Sequence, residues 1–142
     1  MLVPLLTLFS GLLSSLQGVI NNRLGKDLGL PAMILSVSLV QSVIAFVWLK
    51  VGGSPLSFGS LVQGRILLAG VLGVLIMSGI AWSILKLGAV TTFGLVIFGQ
   101  LAFSLFVDFY GLFGVQQKVL TSERILSLAL MGLAVFILMR NK

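Results

Sequence analysis

The chain contains no cysteine and no histidine. Without cysteine there is no disulfide and no thiolate ligand. Without histidine there is no imidazole to serve as a general base or to hold a metal. The acids number three: Asp27, Asp108 and Glu123. Nucleophilic triads, zinc centres and carboxylate-cage metal sites are therefore close to excluded for a single copy. Neither an enzyme nor a bound cofactor is expected. Charge of either sign is scarce too, at 8% of residues, where a soluble domain carries about a quarter. The first 20 residues hold no Lys or Arg and no Ala-x-Ala cleavage site. Met1–Ile20 is accordingly expected to be a retained first span, not a signal peptide.

What the chain does have is apolar length. Of its 142 residues, 58% are hydrophobic, and the mean hydropathy is +1.22. A soluble fold of this size cannot hide that much apolar surface, so the solvent for most of it is lipid. The 9 Lys and Arg fall at the ends of five long apolar runs or between them. Basic side chains so placed snorkel toward lipid phosphates. Their dispersion gives no patch for nucleic acid.

These runs predict an all-α integral membrane protein: one small domain of five transmembrane helices, over residues 2–20, 31–49, 66–85, 91–109 and 123–139. A span needs roughly 20 apolar residues at about 1.5 Å each. Pro4 falls in the first turn of its run and Pro31 opens the second, where a missing N–H costs least. Asn21 to Asp27 is a short polar break. Lys50 to Gly64 is a loop with Pro55 inside it, and Tyr110 to Thr121 is a second long loop. Gly88 is placed to close the third helix. Thr91 and Thr92 are expected to cap the fourth helix, and Ser122 the fifth, with Glu123 in its first turn. The fifth run is the shortest, and Arg124 and Arg140 can bridge the deficit by snorkelling.

Five spans put the termini on opposite sides. One side then holds Arg23, Lys26, Lys86, Arg140 and Lys142, and the other Lys50, Arg65, Lys118 and Arg124. Orientation is normally set by a Lys/Arg excess on the cytoplasmic side, and here the two sides nearly balance. Two readings follow. In one, a single orientation is set by Arg23 and Lys26 in their short connection. In the other, copies insert both ways and pair antiparallel, mimicking the inverted repeats of many transporters.

Polar residues inside the spans form stripes. Ser10, Ser14, Gln17 and Asn21 follow i, i+4, i+7, i+11 on one face of the first helix. Gln100, Ser104 and Asp108 share a face of the fourth. Ser38, Gln41 and Ser42 cluster on the second, and Ser78 and Trp82 lie at i, i+4 on the third. The fifth has only Ser127 and reads as a packing helix. Each serine taken alone is ordinary helix–helix glue. Three helices that each carry an amide-bearing polar face point instead to a polar, hydrated pocket bounded by the first four spans. Gln17, Asn21 and Gln100 are the candidate substrate-facing groups, with Ser14, Ser104, Gln41 and Trp82 beside them. Trp82 serves equally as a packing residue or a stacking surface. Asp108 lies in the last turn of its span, where it reads either as an interfacial carboxylate paired to Lys118 or Arg124, or as a gating and coupling group. Trp48 reads as an interface anchor. Small residues recur at Gly11/Ser15, Ser14/Gly18, Ala69/Gly73 and Gly79/Ser83. They permit close helix approach, although 17 glycines produce such pairs by chance.

Four stretches together carry a resemblance. They are Gln17 to Lys26, Leu87 to Thr92, Gly99-Gln100-Leu101, and Asp108-Phe109-Tyr110-Gly111-Leu112-Phe113-Gly114. In order and spacing the chain resembles the YdcZ-type five-helix inner-membrane proteins of the drug/metabolite transporter superfamily, from about Gly11 to Leu138. The resemblance implies a bacterial inner-membrane protein that moves small molecules, and a five-helix chain that is half of a ten-helix inverted-repeat transporter. It implies a second half too, either another copy or a paralogous five-helix partner. The family's polar positions fall on Gln17, Asn21, Gln100 and Asp108. This chain departs from the family pattern at Phe109-Tyr110, where His-Phe is usual, and at Val40-Gln41, where a glycine is usual. The superfamily's small multidrug exporters exchange protons at a first-span glutamate. No acid occurs in this first span, so that mechanism does not transfer.

The expectation is thus a dimeric transporter working by alternating access. The competing reading, from another class, is an accessory subunit that packs against a larger membrane complex and moves nothing.

Overall fold

The structure is a computed structural model that describes residues 2–53 and 63–140. It contains five long helices: α1 (Leu2–Leu28), α2 (Leu30–Val51), α3 (Gly64–Leu87), α4 (Ala89–Tyr110) and α5 (Ser122–Arg140). One turn of 3₁₀ helix, Leu112–Gly114, follows α4. All five helices are long and apolar enough to cross a bilayer. Pro55, Asn141 and Lys142 lie outside the described residues.

Among the described residues almost nothing is buried, as fits helices that meet lipid. Among the described residues the buried hydrophobic side chains are Met33, Ala81 and Val135. In each span only 6–11% of the most apolar stretch is covered by protein. Leucines and phenylalanines at this exposure would aggregate in water. In hydrocarbon they have nothing to escape from, and packing and hydrogen bonds hold the helices together instead.

The chain divides into two compact units, Met1–Lys86 and Leu87–Lys142. In the first, α1 packs against α2, and a hydrogen bond ties α1 to α3: the Asn22 side-chain amide donates to the Ala81 carbonyl at 2.6 Å. In the second, α4 packs against α5.

Helix boundaries differ from the sequence expectation at three places. The polar stretch Asn21 to Asp27, expected as a break, is the last part of α1. Asn, Gly and Asp are weak helix formers, but Arg23 reaches Asp27 one turn later at 3.3 Å, an i,i+4 pair that supports the helix. The chain turns instead at one residue, Gly29, with φ 82° and ψ 151°, a conformation closed to side-chain-bearing residues. At 27 residues, α1 is about 40 Å long and outreaches a hydrocarbon core of about 30 Å.

Gly88 produces the second difference. It closes α3 as expected, but its φ of 76° and ψ of 164° also let α4 begin at once, with Gly88 as its N-cap. Thr91 and Thr92 therefore lie inside the first turn of α4, buried, and cap nothing. The third concerns α5. Ser122 is already helical, and the Thr121 carbonyl accepts from the N–H groups of Arg124 and Ile125 at 3.1 and 3.3 Å. Thr121 thus holds the cap position, whose carbonyl takes the first helical bond.

Candidate functional site

Each unit has a polar recess of its own. In the first, Ser14, Gln17, Gly18 and Asn21 of α1 face Ile76, Met77 and Ile80 of α3 across a cavity of about 100 Å³. The helical spacing of these α1 residues brings them to one wall. Asn21 is buried, whereas Ser14 and Gln17 are exposed at the rim. The opposite wall is apolar. Trp82 does not line this cavity and is exposed, as is Gln41 on α2.

Asn22 was not among the sequence candidates, yet it makes the hydrogen bond that holds α1 to α3 beside the recess. Its neighbour Asn21 lies on the stripe, and Asn22 one position off it. The adjacent pair of asparagines was a usable signal only once the stretch was known to be helical.

Most of the serines expected on polar faces are satisfied within their own helices. Ser10 donates to Leu6 O, Ser42 to Ser38 O, Ser78 to Val74 O and Ser127 to Glu123 O, at 2.7 to 2.9 Å. A hydroxyl can reach back to the i−4 carbonyl. A glutamine amide offers two donors as well as an acceptor, so one such bond does not satisfy it. Among the described residues Gln17, Gln41 and Gln100 have no hydrogen-bond partner, and all three are exposed. Gln41 and Gln100 sit at the midpoints of α2 and α4.

The second recess is larger, about 340 Å³. Leu101, Ser104, Leu105 and Asp108 of α4 form one side of it. Glu123, Arg124, Ser127 and Leu128 of α5 form the other. Gln100 is not in its lining. Asp108 Oδ2 lies 3.6 Å from Lys118 Nζ and 3.5 Å from Arg124 Nη1, so both anticipated partners are engaged. The loop after α4 is folded back to allow this. Gly111 takes the left-handed conformation and donates to Val107 O. The Lys118 N–H then donates to Asp108 O at 2.8 Å, and the Gln117 amide to Phe109 O at 2.9 Å. Three of the four carbonyls that a helix end leaves open, those of Val107, Asp108 and Phe109, are thereby satisfied. Asp108 and Glu123 border one cavity, but among the described residues no third ligand joins them to complete a metal-binding set.

Of the expected small-residue pairs, Ser14/Gly18 borders the α1–α3 recess and its Gly18 is buried. Gly11, Gly73 and Gly79 have open space where a Cβ would be. Gly132 on α5 instead lies against the Phe98 ring of α4, which a Cβ would meet at 3.1 Å.

A family model described as "Putative inner membrane exporter, YdcZ" matches residues 2–137. The chain belongs to the YdcZ family. This YdcZ-family chain is an inner-membrane protein with five helices able to span the bilayer, and the family's description is that of a transporter. No match was found among curated proteins or among solved structures.

Proposed function

We propose that the chain is half of a small-molecule transporter. It pairs with a second copy turned over in the membrane, or with a paralogous five-helix partner, and works by alternating access. The observation that carries this reading is the pair of exposed, unpartnered amides at mid-helix, Gln41 and Gln100. An amide in hydrocarbon without a partner costs several kcal/mol. A second subunit, or a hydrated path lined by both, removes that cost. The near-equal distribution of Lys and Arg supports insertion in both orientations.

The substrate is a small polar or amphipathic molecule. Gln17, Asn21 and Gln100 hydrogen-bond to it, and Ser14, Ser104, Gln41 and Trp82 complete its surroundings. Asp108, held by Lys118 and Arg124, acts as the gating or coupling group. The flux test uses proteoliposomes and a metabolite first identified by ligand-dependent thermal shift. Gln41→Leu and Gln100→Leu keep the protein assembled and lower its flux. If the wild-type chain moves nothing, and the same variants alter assembly with a larger membrane complex, the accessory-subunit reading replaces this one.

A further inference from the structure

The recess between α4 and α5 is graded along the helix axes. Asp108, Glu123 and Arg124 stand at one end, the hydroxyls of Ser104 and Ser127 come next, and Leu101 lies two helical turns below Asp108. That depth is about 10 Å. The charged end coincides with the end of α4 and the start of α5, the level at which a spanning helix meets lipid headgroups.

The charged groups at that end have bonding capacity left over. Arg124 makes one 3.5 Å contact with Asp108, and a guanidinium carries five N–H donors. Among the described residues Glu123 forms no ion pair, and the Ser104 hydroxyl has no partner. The recess therefore offers a free anion, a cation with spare donors and an unspent hydroxyl above a leucine floor. Its volume of about 340 Å³ falls at the small end of the range for ligand sites.

We propose that this recess holds a zwitterionic phospholipid whose headgroup ends in a primary ammonium, the phosphatidylethanolamine type. The phosphate accepts from Arg124, the ammonium donates to Glu123, and an acyl chain runs down Leu101, Leu105 and Leu128. A choline headgroup has no N–H to donate, and a glycerol headgroup has no cation for Glu123. The lipid is a resident of the α4–α5 pair, not cargo, so the inference stands apart from the transport reading and is measured without flux.

The test is native mass spectrometry of the full chain, purified in detergent and offered equal amounts of phosphatidylethanolamine, phosphatidylcholine and phosphatidylglycerol. Wild type retains the ethanolamine lipid over the other two by roughly tenfold, the worth of one charge-assisted hydrogen bond. Glu123→Gln abolishes the preference over choline, and Arg124→Gln lowers retention of all three. Soluble glycerophosphoethanolamine, lacking acyl chains, does not displace the lipid. Equal retention of the three lipids by wild type overturns the proposal whatever the variants do. So does an unchanged preference in Glu123→Gln, and so does displacement by the soluble headgroup, which would make the ligand a free solute.

Discussion

Removing the Asn22 side chain should loosen the first unit by about 1 kcal/mol. In bilayers, interhelical hydrogen bonds average about 0.6 kcal/mol and reach about 1.7. The Asn22–Ala81 bond is short, at 2.6 Å, and half-buried, which places it above that average. An upper limit also follows from the structure. Ala81 lies inside α3, six residues before its end, so its carbonyl keeps its own helical bond and is not orphaned when Asn22 is lost. About 1 kcal/mol corresponds to a roughly fivefold shift in the folded-to-unfolded ratio. Two variants separate hydrogen bonding from packing, Asn22→Ala and Asn22→Leu. The assay is reversible unfolding in mixed micelles with rising SDS. Trp82 adjoins the acceptor residue Ala81, and with Trp48→Phe as background its fluorescence reports locally. Both variants should unfold at lower SDS than the parent, with an altered Trp82 signal in the folded state. If both unfold with the parent and leave Trp82 unmoved, the bond does not hold α1 to α3.

Three further outcomes are expected. Gly132→Ala forces a Cβ against the Phe98 ring and should cost the α4–α5 pair about 1 kcal/mol or more; Gly70→Ala, in open space, should leave SDS unfolding unchanged or improved. Thr92→Val replaces a buried hydroxyl that has no partner with a group of the same shape. It should be neutral or stabilising by up to about 1 kcal/mol, and a clear loss of stability would mean that the hydroxyl is in use. Two reporters fused in turn to the C-terminus, one active only on the cytoplasmic side and one only on the opposite side, should both give signal if copies insert both ways; activity of just one would sink dual insertion.

The membrane class and the five helices were legible in the sequence, because both depend on sums over about 20 neighbouring residues. Their ends were less so. Asn21 to Asp27 reads as a break by polarity, yet polarity marks where a helix leaves the lipid, not where it stops. The stop is Gly29, one residue with a positive φ, and Gly88 acts alike between α3 and α4. Thr91 and Thr92 looked like caps because Thr favours that position, but a glycine placed just before them had already started the helix.

The candidate residues divide in the same way. Of the α1 stripe, Ser14, Gln17 and Asn21 line one cavity and Ser10 does not. Serine stripes overstate the polarity of a helix, since Ser10, Ser42 and Ser78 bond to their own backbone. Asn22 is hidden from a sequence reading because it falls in an apparent polar break, and Glu123 and Arg124 because they read as parts of a helix end.

By itself the sequence determined the solvent, the number of helices and the scarcity of reactive chemistry. Those follow from composition and from transfer free energies that add residue by residue along the chain. Only the tertiary structure decided which polar groups find partners. Asn22 meets a carbonyl on α3, Asp108 meets two cations, and among the described residues Gln41 and Gln100 meet no partner. A hydrogen bond needs a donor and an acceptor within about 3 Å, and residues far apart in the chain come that close only when the helices pack.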